Sequence, residues 1–133
     1  MPLKNYTTTV SADRSIGEIQ KMLSNRGASG VLFEYEAGGT GRLQALCFKI
    51  NVRGKDVGFR LPSNWQKAKE ALIHGGIRKA QRDEDYVYRV AWRVVRDWVD
   101  AQMAILDLEL VEMPQIFLPY AIGANNKTLY ENV

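Results

Sequence analysis

The chain has 133 residues, 46% hydrophobic and 25% charged, the size and composition of one α+β domain over 1–133 that fills its own core, and this excludes a disordered polypeptide. Eighteen Lys and Arg against fifteen Asp and Glu leave a formal charge of +3, too small to identify a partner by itself. One cysteine, Cys47, and one histidine, His74, exclude an intramolecular disulfide and cannot supply a zinc site unaided.

The start, Met1 to Tyr6, lacks the apolar core of a secretory signal, and no run approaches the ~18 apolar residues of a membrane span. The expected location is therefore cytoplasmic, without membrane attachment. The β-branched run Tyr6 to Val10 predicts a short strand. Ser11 or Asp13 then caps a helix in which Ile16, Ile19, Met22 and Leu23 share one face and which Gly27 terminates. Three strands follow, Ser29 to Glu36, Arg42 to Val52 and Asp56 to Leu61, joined by Ala37-Gly38-Gly39-Thr40-Gly41 and Arg53-Gly54-Lys55 as hairpin turns. Alternation places Val31, Phe33, Tyr35, Leu46, Phe48, Ile50, Val52, Val57, Phe59 and Leu61 on the side expected to meet the first helix. Glu34, Cys47, Lys49, Asn51 and Arg60 form a polar, slightly basic opposite side.

Pro62 ends the third strand, and Ser63 or Asn64 caps a helix to about Ile73 that His74-Gly75-Gly76 interrupts. From Asp83 to about Glu112 nothing breaks the helical pattern, a span of roughly 45 Å at ~1.5 Å per residue, and Pro114 ends it. The tail, Ile116 to Ile122, Gly123 to Lys127 and Thr128 to Tyr130, reads as an edge hairpin or an extended arm. The expected architecture is an antiparallel three- to four-stranded sheet packed on the N-terminal helix, then a helical hairpin with one long C-terminal helix and a short extended tail.

On a helical wheel Arg82, Arg89, Arg93 and Arg96 fall within an arc of about 60°, joined by Arg78 if the helix extends back to it. Guanidinium forks along one face suit phosphates, because each stays charged and grips an oxyanion bidentately. The competing reading is a solvated face with local pairs Asp85 to Arg89 and Arg93 to Asp97. Tyr86, Tyr88, Trp92 and Trp98 interleave with these arginines as aromatic platforms do in single-strand binders. Helical spacing assigns the tryptophans to the core and leaves the two tyrosines for stacking. Lys49 and Arg60 add charge from the sheet. The breadth of apolar surface on the long helix suggests a homo-oligomer.

No catalytic constellation is readable and no cofactor is implied. Gly38 to Gly41 lacks the residues of a phosphate-binding loop, His74 has no nucleophile and carboxylate at recognisable spacing, and Asp83-Glu84-Asp85 suits a helix start better than a metal. Cys47, in mid-strand, reads as inert.

Ser15-Ile16-Gly17-Glu18-Ile19 with Leu23 and Gly27-Ala28, then Gly58-Phe59-Arg60-Leu61-Pro62, Trp92 to Trp98, Phe117-Leu118-Pro119-Tyr120 and Thr128-Leu129-Tyr130 together resemble small bacteriophage and prophage proteins of uncharacterised function. The resemblance spans nearly the whole chain and implies a mobile element in a bacterial host cell, with no catalytic residues. In element order alone the chain is similar to the core of single-strand annealing proteins and to double-stranded RNA-binding domains, which carries no site across. Two functions follow as expectations: a phage-type nucleic-acid-binding protein of single-stranded DNA binding or annealing type, or an inhibitor that binds a host enzyme or defence complex. A small nucleotide ligand would suit the same arginines.

Overall fold

A computed structural model describes residues 3–133. The elements run α1 (Ala12–Asn25), β1 (Ser29–Tyr35), β2 (Leu43–Val52), β3 (Lys55–Pro62), α2 (Trp65–His74), a 3-10 connector (Arg78–Gln81), α3 (Glu84–Asp107) and α4 (Met113–Phe117). The α+β class is as expected, with the helix first, a three-stranded antiparallel sheet in the order β1-β2-β3, and one long helix. Contacts within the chain group into two compact units, Met1–Ile19 with Ser63–Ala101, and Gln20–Pro62 with Gln102–Val133.

In the first unit the expected strand Tyr6 to Val10 is absent. Asn5 takes a left-handed φ of 62°, and the Tyr6 and Thr8 amides donate back to Leu3 and Asn5, so the threonine-rich run folds as turns instead of extending. Of the two candidate caps for α1, Ser11 performs the role, its Oγ accepting the Arg14 amide at 3.1 Å. The cap predicted for α2 is missing: Asn64 occupies the N-cap position in a left-handed conformation and its side chain makes no capping bond. Trp65, Leu72 and Ala80 pack with Tyr86, Val87, Val90 and Ala91 of α3, and Tyr6, Ala68, Ile73, Ile77 and Tyr88 line the margin. The pairs 86/87 and 90/91 recur at the helical spacing of four, which gives α3 the apolar stripe this core requires.

In the second unit Val52 and Lys55 flank a two-residue hairpin turn in which both Arg53 (φ 54°) and Gly54 (φ 85°) are left-handed. That geometry matches the twist of the strands and is easy for glycine but not for arginine. The strand register sets Phe33 beside Leu46 and Leu61, Phe48 beside Phe59, and Ile50 beside Val57, so alternation assigned the apolar side correctly for these residues. Tyr35, expected with them, instead follows a register shift after Glu34, pairs with Leu43 and is 58% exposed. Phe48 and Phe59 stack at 5.5 Å, and Phe117 meets Phe48 edge-on at 5.1 Å.

The long helix stops at Asp107, about a turn before the predicted end. Glu109 adopts a left-handed φ of 60° while the Leu110 amide reaches back to the Ile105 carbonyl, a reversal that closes the helix without glycine. A side-chain fork from Arg26 Nε and Nη2 to the two oxygens of Asp107, at 3.1 and 2.9 Å, is made beside that end. The tail also departs from the extended reading. Met113–Phe117 is helical, with Pro114 in its first turn and a reciprocal Glu112/Gln115 capping box. Only from Ala121 does the chain extend: Ala121 bridges to Phe59, the Ile122 amide donates to Gly58 O at 2.8 Å, and Ile122 bridges to Thr128. The edge-hairpin alternative is thus realised as a rudiment lying along β3.

Phe117 is fully buried and meets both stacked rings, Phe48 and Phe59, edge-on. Phe117→Ala is expected to destabilise the protein by about 3 to 5 kcal/mol, read as a lower urea midpoint at unchanged slope.

Candidate nucleic-acid interface

The predicted arginine stripe divides at Arg89. Beyond it, Arg93 Nη1 donates to Glu18 Oε2 at 3.2 Å and its Nε lies 3.9 Å from Asp97. Arg96 lies 3.5 Å from Glu18, 3.3 Å from Asp97 and 3.4 Å from Asp100. Both side chains are only about a fifth exposed, 19% and 22%. These guanidinium groups face carboxylates of their own unit, which neutralise them where an incoming phosphate would have to bind. The Arg93 to Asp97 pair foreseen as the competing reading is present.

The same network holds the first residues. Asn5 Nδ2 donates to Asp97 Oδ2 at 2.8 Å and Lys4 Nζ lies 3.5 Å from it. Burial works against ionisation of Asp97, but hydrogen bonds from Asn5 and Arg96 and the charges of Lys4 and Arg93 outweigh it and hold the carboxyl below its ordinary range.

Of the two tyrosines assigned to stacking, Tyr86 is corrected. Tyr86 is 3% exposed and its hydroxyl donates to the Tyr6 carbonyl. Burial pushes the phenol up, against the pull of Arg89. Tyr88 is half-buried and meets Trp65 edge-on at 6.0 Å. The buried Tyr86 ring offers no open face on which a base could lie. Of the tryptophans, Trp92 is fully buried and Trp98 partly so.

In the sheet, Arg60 is engaged by Glu34 at 3.1 Å and by Glu131 at 4.0 Å. Glu34 lies opposite Ala45 and Arg60 opposite Cys47, so the ion pair crosses β2 and helps to bury Ala45 on the polar side of the sheet. Burial raises the Cys47 thiol, with a hydrogen bond from Arg60 opposing, which keeps it protonated and poorly nucleophilic. Lys49 is exposed, flanked in register by Ser29 and Gly58. Lys49 and Arg60 belong to the second unit and the arginines of α3 to the first.

Arg82 lies outside α3, at the C-cap of the 3-10 connector, and is exposed. It belongs to a cationic segment of which the helical wheel took in only Arg78 and Arg82. Trp65 to Arg82 contains Lys67, Lys69, Arg78, Lys79 and Arg82 against Glu70 alone, an excess of four charges in a chain whose total is +3. None of the five is paired with a carboxylate among the described residues, and all are exposed except Lys69, which is half-exposed. By contrast α3 itself carries five acids against three arginines. A charge count over 65–82 would have signalled this surface, whereas periodicity could not, because the connector is not α-helical.

Arg89 stands between the two groups: its Nε donates to Thr8 O at 3.1 Å, and it makes no ion pair among the described residues. No group of three or more His, Cys, Asp or Glu among the described residues is placed to hold a metal, and no helix is long and apolar enough to cross a membrane. Comparison with protein-family models, curated proteins and solved structures gave no match.

Because the folded Asp97 carboxyl titrates below its unfolded value, its ionised form favours the fold above about pH 4. That contribution is lost as acid carries it through the lowered folded value. Asp97→Asn is therefore expected to be less stable than the parent at pH 7 and to lose less on going to pH 3, with denaturation midpoints at the two pH values as the check.

Proposed function

We propose that the chain binds nucleic acid through the cationic surface of α2 and the 3-10 connector, as a phage-type protein acting in a bacterial host. The observation that carries this reading is the concentration of unpaired Lys67, Lys69, Arg78, Lys79 and Arg82 on one short segment. Cations without internal partners attract phosphates and release their condensed counterions, a contribution independent of base sequence. The helix stripe from Arg93 onward is not part of this interface. Single-strand preference through Tyr86 and Tyr88 has no support from their packing, so annealing activity is set aside in favour of backbone binding.

A second reading, an interaction protein that engages a host enzyme or defence complex, is favoured by a different observation. Leu108, Leu110, Leu118 and Tyr130, all in the second unit, are largely exposed, and large apolar side chains in water are commoner at protein interfaces than elsewhere. Retention of a host protein after nuclease treatment would support this alternative.

Fluorescence anisotropy with short single-stranded DNA, duplex DNA and RNA at two salt concentrations tests the first reading. If most of the five cations engage, log K against log salt is expected to have a slope of about −3 for single strands. Arg78→Glu with Arg82→Glu abolishes binding, while Lys21→Glu, exposed on α1, changes it little. Absence of binding at low salt overturns the proposal.

A further inference from the structure

Two cations meet at one aromatic ring. Lys79 Nζ lies 4.9 Å from the centre of the Tyr86 ring and the Arg89 guanidinium carbon 5.5 Å from it, so they are separated by no more than the sum of those distances. Neither makes an ion pair among the described residues. The ring that brings them together is held by its hydroxyl's bond to Tyr6 O, and the Tyr86 backbone by its amide's donation to the Asp83 carboxylate at 3.0 Å. Arg89 is fixed in turn by Thr8 O, which occupies Nε and leaves its two terminal nitrogens with no partner among the described residues.

The connector supplies a third group. In a 3-10 helix there are three residues per turn, and side chains at i and i+3 eclipse. Arg82 caps this turn, its amide donating to the Lys79 carbonyl at 3.2 Å, which keeps it one tight turn from Lys79. Lys79 and Arg89 come from elements separated by a chain break in helicity, and the packing of Tyr86 joins them.

We infer that Lys79, Arg82 and Arg89 form a phosphate-binding subsite built around the Tyr86 ring, suited to a phosphodiester or a phosphomonoester. A guanidinium edge and an ammonium on either side of a tetrahedral oxyanion can satisfy different oxygens, the arginine by a paired donation and the lysine as a point charge. The aromatic ring contributes no hydrogen bond. It limits where the cations can go, which lowers the ordering cost of binding. The carboxylate nearest in sequence, Asp83, is committed to the first turn of α3. Its charge opposes an arriving anion while its oxygen holds the helix start. The assignment rests on the nucleic-acid reading only for the carrier of the phosphate, a polynucleotide strand rather than a free phosphate compound.

The test uses the full chain, with the arginine Nε–H and the Tyr86 ring resonances followed by NMR while inorganic phosphate, and separately a short single-stranded DNA, is added. Saturable shifts at Arg89 and Tyr86 with both ligands, reduced in Lys79→Gln/Arg82→Gln, are the expected result. That double variant changes two exposed side chains and should also lower the salt slope for the DNA by about one to two. Asp83→Asn keeps the capping oxygen and removes one negative charge. It should tighten phosphate binding about threefold, the effect of one water-screened unit charge at ~6 Å.

If the DNA binds with a salt slope that the double variant lowers, but leaves Arg89 and Tyr86 unmoved, the subsite is overturned and the broader interface stands. If phosphate gives the shifts and DNA does not bind, the subsite is upheld for a free phosphate compound and the nucleic-acid reading falls. No shift with either ligand overturns the subsite outright.

Discussion

Glu18 is the acid on which the first unit turns. Its carboxylate receives Arg93 and stands within 3.5 Å of Arg96, while Asp97 on the same helix as those arginines takes the other side of both and also receives Asn5. One compact charge network therefore fastens the N-terminal segment, α1 and α3 to one another. A partly buried pair of this kind contributes little net stability compared with apolar packing, but removing one partner leaves the other charge poorly solvated. Its main effect is to specify which face of α3 meets α1. The same pairing withdraws Arg93 and Arg96 from solution chemistry, and it decides where positive charge remains available.

Part of what remains is on α2, at Lys67 and Lys69, and the rest of that surface is on the short connector between α2 and α3. Gly76, with a left-handed φ of 82°, ends α2, and the chain then makes only one tight 3-10 turn before Asp83 starts α3. So short an element buries little: Ala80 is its one enclosed residue, and Arg78, Lys79 and Arg82 project from it. A longer helix here would have presented an apolar stripe and carboxylates at i, i+4 spacing to absorb those charges. Brevity of the element and availability of its cations have the same cause.

The fold was legible where physics is local and periodic. The alternation Leu46, Phe48, Ile50 and Phe59, Leu61 fixed the sheet sides, and the glycines placed both hairpin turns. It was illegible where long-range partners override propensity: Tyr6 to Val10 has strand composition but finds no strand to pair with, and its Tyr6 and Thr8 carbonyls serve α3 side chains instead. The overestimate of α3 has a similar origin, since Leu108 to Glu112 is helix-compatible in composition and only the left-handed turn at Glu109 stops it. The site was harder still. A helical wheel ranks charges by direction, yet whether a guanidinium is free depends on a carboxylate such as Glu18, 75 residues away in sequence. Tyr86 looked available beside Arg89 for the same reason, because its burial comes from α2 and the connector.

The acids at the start of α3 give the cationic surface its character. Asp83 caps the helix through the Tyr86 amide, and Glu84 and Asp85 occupy the first turn, where negative charge is favoured by the helix dipole. These three carboxylates cannot be removed without weakening the helix start, yet they lie next to Arg82 in the chain and reduce the local positive potential. A lone anion would therefore be held weakly. A ligand that places several phosphates along Lys67, Lys69, Arg78, Lys79, Arg82 and Arg89 gains from each contact at the cost of one association, since later contacts form at high effective concentration. Weak individual sites on a short, open element thus favour an extended polyanion over a small one, and they make its release as sensitive to salt as its capture.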